Sequence, residues 1–381
     1  MFPLPLMVIS RCRGGVRFDS GSDDFCPVRS QYTPFMKGHP SMSHSSRYLL
    51  TTFAAVGALL LTACGGGSSD VVGGGSDTAS GPALTLVGYA VPKNGWDAIG
   101  PAFAATEDGE GTAINADYGA SGNQSRKVAD GAPADIVNFS VEPDVTRLVK
   151  AGKVDEDWNQ NAYGGVPFGS VVTIVVREGN PKNIRTWDDL IKPDVQVISP
   201  SPLSSGSAKW NLLAPYAAKS NGGQDKQAGL DFVRTLVSDH FPVQPESGRA
   251  ATEAFLQGQG DALLSYENEA LLIEEQGQKV EHVDVPVTFR IDNPVAVINS
   301  SANLDRANAL NDFIYTDEGQ KIWAEAGFRP TNPDIASEYS DKFFTPEKLY
   351  TIDDLGGWTQ VDADLFGDNG AITTIYQEST R

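Results

Sequence analysis

Short apolar runs alternate with segments of helical periodicity from Leu84 to the end of the chain. Six runs have the length and the content of β-branched residues that are typical of buried strands: residues 84–89, 136–139, 171–176, 195–198, 262–265 and 295–298. Between these runs, apolar residues recur at helical spacing, for example at Leu304, Ala307 and Leu310. This alternation predicts an α/β fold.

The N-terminal region has a different pattern. Residues 1–41 show no helical or strand period, so we expect them to be unstructured or to be an over-extended start, with Met42 as the true first residue. The alternative is an unusually long region before the export signal. From Met42 onward, Arg47 precedes an apolar run over residues 48–61 that is too short to span a membrane. Residues 42–63 are therefore predicted to be a signal peptide.

The signal peptide ends in LTAC at residues 61–64, which is similar to the lipobox of bacterial lipoproteins, where the cysteine is lipidated. The alternative is a cysteine that stands by chance beside an ordinary signal peptide. Residues 64–82 are rich in Gly and Ser and predict a flexible tether. Cys12 and Cys26 precede the cleavage point, so Cys64 has no disulfide partner in the mature chain. We expect an exported protein, anchored by lipid on Cys64 to the outer face of the cytoplasmic membrane or lying in the periplasm.

The charge of the 381-residue chain limits its partners. The formal net charge of -20 makes nucleic acid an unlikely partner and gives no long-range attraction for an anion. Any bound anion must therefore be held by local geometry. The sequence contains no P-loop, no G-x-G-x-x-G and no G-x-S-x-G motif, and no cofactor or metal site is predicted.

A serine-glycine pair stands before a predicted helix at three places: Ser121-Gly122, Ser205-Gly206 and Ser247-Gly248. The start of a helix leaves backbone N–H groups unpaired and carries partial positive charge, so it can hold an oxyanion. Glycine allows close approach of the ligand, and serine adds a hydroxyl donor. The alternative is structural, since serine is a favoured N-cap and glycine a common turn residue.

Basic residues follow each pair, although a helix start favours acidic ones. Arg126, Lys209 and Arg249 stand in these positions in a very acidic chain. We interpret this as a sign that three helix starts converge on one anion.

Residues for catalysis are few. Beyond Cys64 the only histidines are His240 and His282, which have no triad-like or metal-like spacing and are predicted to lie on the surface. Glu267 and Glu269 are two residues apart, so they are not neighbours on one helical face, and a structural or hinge role is expected. No enzyme activity is predicted. The alternative is a hydrolase or transferase with a nucleophilic serine in one of the first two serine-glycine pairs.

Several long motifs resemble the sulfate-binding proteins of ABC importers. They are GNPKNIRTWDDLIKPDVQVISPSPLSSGSAKWN at 179–211, LLSYENEA at 263–270, YTDEGQKIWAEAGFRP at 315–330 and LYTIDDLGGW at 349–358. The GxSGxQ-like turn of that family corresponds to GASGNQ at 119–124. The resemblance covers nearly all of residues 84–376.

The resemblance implies a two-lobed, type II periplasmic solute-binding fold with the ligand in the cleft between the lobes. Residues 83–169 and 297–381 would form the first lobe and residues 170–296 the second, with crossings near 170–174 and 294–297. The implied ligand contacts are Ser121, Ser205, Gly206, Ser207, either Gly248 or Arg249, and Tyr266.

This chain departs from the family at three positions that bear on the site. Tyr266 stands where the family has a tryptophan whose N–H contacts the ligand, and a phenol can also donate one hydrogen bond. Ser207 replaces a common glycine, and Ala90 replaces a common aspartate. The resemblance implies sulfate as ligand and an ABC permease as partner; molybdate, thiosulfate and phosphate stay open as alternatives.

Overall fold

Two β-sheets flanked by helices make up this computed structural model, which describes residues 69–72 and 82–379. Both sheets lie within residues 64–381, which form one unit. The predicted start segment 1–41, the signal peptide 42–63 and Cys64 lie outside the described residues. No helix in the described part of the chain is both long enough and apolar enough to cross a membrane.

The strands are β1 Ser69–Val72, β2 Ala83–Tyr89, β3 Ala113–Gly119, β4 Ile136–Asn138, β5 Phe168–Arg177, β6 Val197–Ile198, β7 Ala262–Tyr266, β8 Val280–Val283, β9 Val287–Asn293, β10 Val295–Val297, β11 Arg329–Pro330 and β12 Lys348–Tyr350. The α-helices are α1 Lys93–Ala104, α2 Ser121–Ala129, α3 Glu142–Lys150, α4 Gly206–Lys219, α5 Lys226–His240, α6 Gly248–Leu256, α7 Glu267–Glu275, α8 Leu304–Phe313, α9 Asp317–Glu325, α10 Pro333–Glu338, α11 Gly357–Val361 and α12 Ala371–Ser379. Short 3₁₀ segments occupy Trp187–Ile191, Ser340–Lys342 and Asp353–Leu355, and Asp362–Phe366 is a π-helical turn.

The first sheet has the order β1-β3-β2-β4-β10. Its three central strands β3, β2 and β4 run parallel, with Leu86 of β2 opposite both Ala116 and Ile136. Because these strands are parallel, their carboxyl ends meet at one edge, where the turns after them carry Val91, Ser121 and Ser140. In open α/β sheets this edge is the usual place for a ligand.

The second sheet has the order β12-β9-β5-β7-β6, with β8 and β11 also paired to β5. The central strand β5 is buried along nearly its whole length, which explains its almost continuous run of apolar residues. The short strand β6 runs parallel to β7, and both end near the start of the next helix. The two sheets thus direct several turns toward a common region.

Three segments carry the chain from one sheet to the other, and we call them the hinge segments: residues 167–171, 291–295 and 327–331. The first leads into β5, the second joins β9 of the second sheet to β10 of the first, and the third leads from α9, which packs against α1, into β11. Crossings near 170–174 and 294–297 were predicted from the family resemblance, whereas the third passage was not. Trp323 anchors this region, with its ring centroid 3.9 Å from that of Phe168 and 5.3 Å from that of Trp96.

All six strands predicted from apolar runs are confirmed as β2, β4, β5, β6, β7 and β10. Three longer strands were missed. In β3 and β9, polar residues such as Asn115, Asp117 and Arg290 interrupt the apolar pattern, and β8 carries Glu281 and His282. These strands are half exposed, so their apolar residues alternate rather than run together.

Two parts of the predicted domain layout differ from the structure. The segment predicted as a tether contains β1, which pairs antiparallel with β3, with Ser69 opposite Asp117. The end of the chain was assigned to the first lobe, but β12 pairs with β9 and α12 packs against α5, both in the second lobe. The apolar face of α12, with Ile372, Ile375 and Tyr376, is buried there.

Candidate anion-binding site

Each serine-glycine pair stands at the start of a helix, as predicted: α2 begins at Ser121, α4 at Gly206 and α6 at Gly248. The three starts meet in space. The N–H of Gly122 donates to the carbonyl oxygen of Ser204 at 3.0 Å, which joins the first turn to the second. A Cβ atom on Gly248 would lie 3.0 Å from the hydroxyl of Ser207, so the third turn lies against the second.

The meeting point contains backbone donors that lack a protein acceptor. Within the described chain, the N–H groups of Ser121, Gly206, Ser207, Gly248 and Arg249 donate to no backbone or side-chain oxygen. They are the first N–H groups of their helices, which have no acceptor within the helix. Such a group of donors with helix dipoles behind it fits an oxyanion.

The hydroxyl of Ser121 in the first turn is fully used by the protein. It donates to Asp144 Oδ2 at 2.6 Å and accepts from the N–H of Ser140 at 3.0 Å. Asp144 is also held by Arg147, whose guanidinium nitrogen lies 2.8 Å from Oδ1. The first turn therefore offers the N–H of Ser121 to a ligand, whereas its hydroxyl holds the next loop in place.

The second turn presents its hydroxyl differently. The N–H of Ser205 donates to the carbonyl of Ser201 at 2.9 Å, which closes the turn. Its side chain makes no hydrogen bond to another described residue, although Ser205 is only 2% exposed. Ser207, which stands where the family commonly has glycine, is also buried. Two N–H groups and the free hydroxyl of Ser205 make this turn the richest source of unused donors.

Tyr266 lies at the end of β7 and is buried beside these turns. Its hydroxyl lies 2.7 Å from the hydroxyl of Ser140, on the loop after β4. Burial raises the pKa of Tyr266 well above its ordinary value, and hydrogen bonds with Ser140, Ser207 and Asn293 oppose that rise. The phenol therefore remains protonated and bridges the two lobes.

Arg249 connects three parts of the site. Its guanidinium donates to the carbonyl of Val91 at 3.3 Å and lies 3.2 Å from Glu269, which is completely buried. Burial raises the pKa of Glu269, and the positive charge of Arg249 opposes the rise. Val91 belongs to the first lobe and Arg249 to the second, so this side chain also links the lobes.

The basic residues that follow the three serine-glycine pairs have different partners in the structure. Lys209 points away from the turns and pairs with Asp362 at 2.8 Å, and Arg126 is exposed and donates to Asn123 at 2.5 Å. Arg126 stays beside the first turn, with its guanidinium 3.5 Å from the position of a Cβ atom on Gly122, whereas Arg249 reaches across to Val91. Long side chains in a first helical turn can extend sideways to polar neighbours, so the position of a Lys or Arg in the sequence does not determine where its charged group lies.

The two histidines lie elsewhere. His240 Nδ1 lies 2.8 Å from the carbonyl of Val195, and the residue is buried, so its predicted surface position is wrong. His282 Nδ1 lies 2.9 Å from Glu274. Neither histidine contacts a serine of the turns. Glu267 is held by Arg329 at 2.6 Å, in line with its expected structural role.

Sequence reasoning missed several residues around the site. One of them is Ser140, whose carbonyl oxygen accepts hydrogen bonds from the indole N–H of Trp210 at 2.7 Å and from the side-chain N–H of Asn293 at 3.1 Å. The hydroxyl of Tyr89 is buried without a hydrogen-bond partner. The signal for Ser140 was its position directly after the predicted strand 136–139. Among the described residues, no group of three or more potential ligands could hold a metal ion.

A model of the bacterial extracellular solute-binding protein family matches residues 84–329. The chain belongs to this family. The Sulfate-binding protein of Synechococcus elongatus is 34% identical over 85% of this chain and 94% of its own length. The Thiosulfate-binding protein of Pseudomonas aeruginosa is also 34% identical, over 77% of this chain and 92% of its own length.

A solved structure agrees with these relatives. The sulfate-binding protein SubI from Mycobacterium tuberculosis is 61% identical to this solute-binding protein, with a TM-score of 0.74, over 75% of this chain and all of the solved one. The predicted membership of the sulfate-binding protein family and the two-lobed binding-protein fold are thereby confirmed. The relatives include both sulfate-binding and thiosulfate-binding proteins, so similarity alone does not choose the ligand of this chain.

Proposed function

We propose that this solute-binding protein is the extracytoplasmic receptor of an ABC importer and that it binds sulfate where α2, α4 and α6 begin. The observation that carries the proposal is the group of unpaired N–H donors on Ser121, Gly206, Ser207, Gly248 and Arg249. The family and the names of its relatives support the same conclusion.

Backbone dipoles supply most of the attraction in this proposal. A hydrogen bond to a charged group contributes roughly 1.5 to 3 kcal/mol, so five N–H groups and the hydroxyl of Ser205 offset the dehydration of a dianion. The guanidinium of Arg249 lies at the third turn, and Glu269 at 3.2 Å largely balances its charge. The overall charge of -20 then opposes binding little, because the donors act at close range.

The proposed choice of sulfate over hydrogen phosphate rests on the acceptors near the turns. A protonated phosphate needs a buried acceptor for its proton, whereas sulfate carries none at neutral pH. Asp144 is already occupied by Ser121 and Arg147, and Glu269 faces Arg249. Thiosulfate and molybdate present similar oxygens, and their discrimination depends on the size of the space that Ser207 and Tyr266 leave.

Transport requires a permease that recognises the ligand-bound receptor. Contacts between the lobes close the site in this arrangement, among them Trp210 to Ser140, Arg249 to Val91, and Gly122 to Ser204. An anion that bridges the same turns favours this closed arrangement over an open one. We further propose that lipid on Cys64 holds the receptor beside its permease.

The test is a calorimetric titration of the chain from residue 65 onward with sulfate, thiosulfate, molybdate and phosphate in separate experiments. We expect one bound sulfate per chain and an affinity for phosphate at least about 100-fold lower, since an unpaired phosphate proton costs several kcal/mol. Failure of all four anions to bind would overturn the receptor proposal, and stronger binding of thiosulfate would reassign the ligand.

A further inference from the structure

A second cavity lies at the hinge segments, apart from the anion site. It has a volume of about 760 Å³ and is bounded by all three hinge segments, through Gly169, Asp292 and Thr331 among others. We call it the hinge cavity. None of the seven residues predicted to contact the anion lines it. Its volume is in the range of a small-molecule site.

Negative charge is in excess around the hinge cavity. Glu142 and Asp353 both line it with exposed side chains, and neither forms an ion pair with any residue in the described parts of the chain. Asp292 also lines the cavity, and the pKa of Glu142 is raised by burial and then by the charges of Asp353 and Asp292. A cation placed among them would relieve this repulsion.

The two arginines of the hinge cavity do not cancel this charge. Arg290 is occupied by Asp292, with 2.9 Å between the guanidinium and the carboxylate. Arg329 is held by Glu267, with two contacts of 2.6 and 2.7 Å. Each arginine therefore has its own carboxylate, and the carboxylates of Glu142 and Asp353 remain unbalanced.

Aromatic side chains provide the remaining walls. Trp158, Tyr163, Phe343 and Trp358 line the hinge cavity. Aromatic faces attract cations and also cover apolar groups, so they suit an organic cation better than a bare metal ion. A metal ion would also require a cluster of side-chain ligands, and no group of three or more suitable side chains occurs among the described residues.

A chain of contacts leads from the hinge cavity to the anion site. Trp358 meets Trp210 edge-on, with ring centroids 4.8 Å apart, and the indole N–H of Trp210 donates to the carbonyl of Ser140 at 2.7 Å. The hydroxyl of Ser140 contacts that of Tyr266 at 2.7 Å. A ligand that fixes Trp358 and the hinge segments in their present positions favours the arrangement in which the three helix starts meet.

We propose that the hinge cavity binds a small organic cation with an aromatic or branched aliphatic part, and that such binding strengthens anion binding at the helix starts. The second half of this proposal rests on the proposed function, whereas the first half does not. By linkage, the anion must strengthen binding of the cation by the same factor.

The test uses phenethylammonium as probe and the chain from residue 65 onward, which contains all of the described structure. Binding is first measured by calorimetry without sulfate, with 2-phenylethanol and phenylacetate as the neutral and anionic counterparts. We expect saturable binding of phenethylammonium only. Absence of binding, or equal binding of 2-phenylethanol, would overturn the proposal whether or not the protein binds sulfate.

Charge variants locate the binding site. The double variant Glu142→Gln, Asp353→Asn should lower the affinity for phenethylammonium at least about tenfold, since it removes the two unbalanced carboxylates. The matched control Asp305→Asn, Glu318→Gln removes two exposed carboxylates at a separate depression and should leave the affinity unchanged. Equal effects of the two double variants would show that only the general acidity of the chain attracts the probe, which would overturn the proposed site.

The coupling is read from the sulfate titration repeated at saturating phenethylammonium chloride, with sodium chloride at equal ionic strength as control. We expect the affinity for sulfate to rise by about three- to tenfold, within the usual range of coupling between two sites. An unchanged or lowered affinity would overturn the coupling. If the protein binds none of the four anions, the proposed function and the coupling fail together, whereas the binding measured without sulfate decides the cation site alone.

Discussion

The first and second serine-glycine turns have the same sequence pattern and the same place before a helix, yet their hydroxyls serve different purposes. The hydroxyl of Ser121 donates to Asp144 and accepts from the N–H of Ser140, on the loop after β4. The hydroxyl of Ser205 has no partner in the described part of the chain. The first turn thus stabilises the fold and offers mainly an N–H group. The second turn is the one whose side chain is left for a ligand.

The difference has a cause outside the turns themselves. Asp144 on α3 lies within reach of the first turn and binds its hydroxyl. At the second turn the nearest element is the loop at Ser140, which leaves no room for a side chain on Gly206 and does not bond to Ser205. Whether a serine of this motif can donate to a ligand therefore depends on which side chains the neighbouring elements place beside it.

The largest expected effect comes from closing the space at the second turn. In Gly206→Ala, the added methyl group would lie 2.8 Å from Cβ of Ser140 and 3.0 Å from its hydroxyl, across the contact between the lobes. The φ angle of Gly206 is not left-handed, so the clash itself is the cause of the effect. An overpacking cost of about 1 to 3 kcal/mol adds to the lost amide contacts, and we expect sulfate affinity to fall roughly 100-fold or more.

The measurement for Gly206→Ala is a calorimetric titration together with a thermal unfolding curve without ligand. A similar unfolding temperature with strongly reduced affinity would support closure at this turn. Affinity within about threefold of the unmodified chain would contradict the assignment of this turn to the ligand.

A pair of serine substitutions tests the comparison directly. Ser205→Ala removes an uncommitted hydroxyl, so sulfate affinity should fall about 10- to 100-fold, the usual worth of a hydrogen bond to a charged group, with little change in the free energy of unfolding. Ser121→Ala should instead lower the free energy of unfolding by about 1 to 3 kcal/mol, because it leaves Asp144 and the N–H of Ser140 without a buried partner.

Each variant is the matched control of the other, since the same atom is removed from the same motif. Denaturant unfolding gives the stability and calorimetry gives the affinity. If Ser121→Ala weakened sulfate binding more than Ser205→Ala, while stability changed equally, the two turns would not differ as described.

The smallest expected effect concerns the third turn and pH. The pKa of Glu269 in the folded chain is raised above 4.5 by burial, which Arg249 opposes and Glu253 reinforces. The folded state then keeps the proton to a higher pH than the unfolded state, so this group's contribution to stability is lost as the pH rises from about 4.5 through the raised pKa. Glu269→Gln should therefore gain stability relative to the unmodified chain as the pH rises.

Urea unfolding at pH 4 and at pH 8 measures this gain. The control Glu275→Gln lies on the same helix but is exposed, and it should show no such change. A constant difference between Glu269→Gln and the unmodified chain at both pH values would contradict the raised pKa.

Much of the fold could be predicted from the sequence because strands that are buried on both faces consist of continuous apolar runs. Residues 171–176 of β5 are an example, whereas the exposed Arg290 and the half-buried Asp292 interrupt the apolar residues of β9, which escaped detection. The starts of α2, α4 and α6 were predictable from local turn chemistry, since glycine and serine act there without help from distant residues.

The hydrogen-bond and ion-pair partners of the residues around the site could not be predicted in the same way. The partners of Ser121, Lys209 and Arg249 lie 23, 153 and 20 residues away along the chain. Long-range pairs of this kind are set by packing within each lobe, and no spacing rule within a turn reveals them. The family resemblance pointed to turns that lie together in the structure, but not to which of their atoms lack a protein partner in the described part of the chain.

The pairing of β1 with β3 sets how far the receptor can stand from a membrane. If Cys64 carries lipid as proposed, only four residues stand between it and Ser69, which makes five Cα-to-Cα steps. At no more than about 3.6 Å per residue they reach roughly 18 Å, whereas an unpaired segment to residue 82 would reach roughly 65 Å. A protein held so close to the bilayer would contact the membrane surface with one edge of the first sheet. The protein could then take only a narrow range of orientations toward a permease.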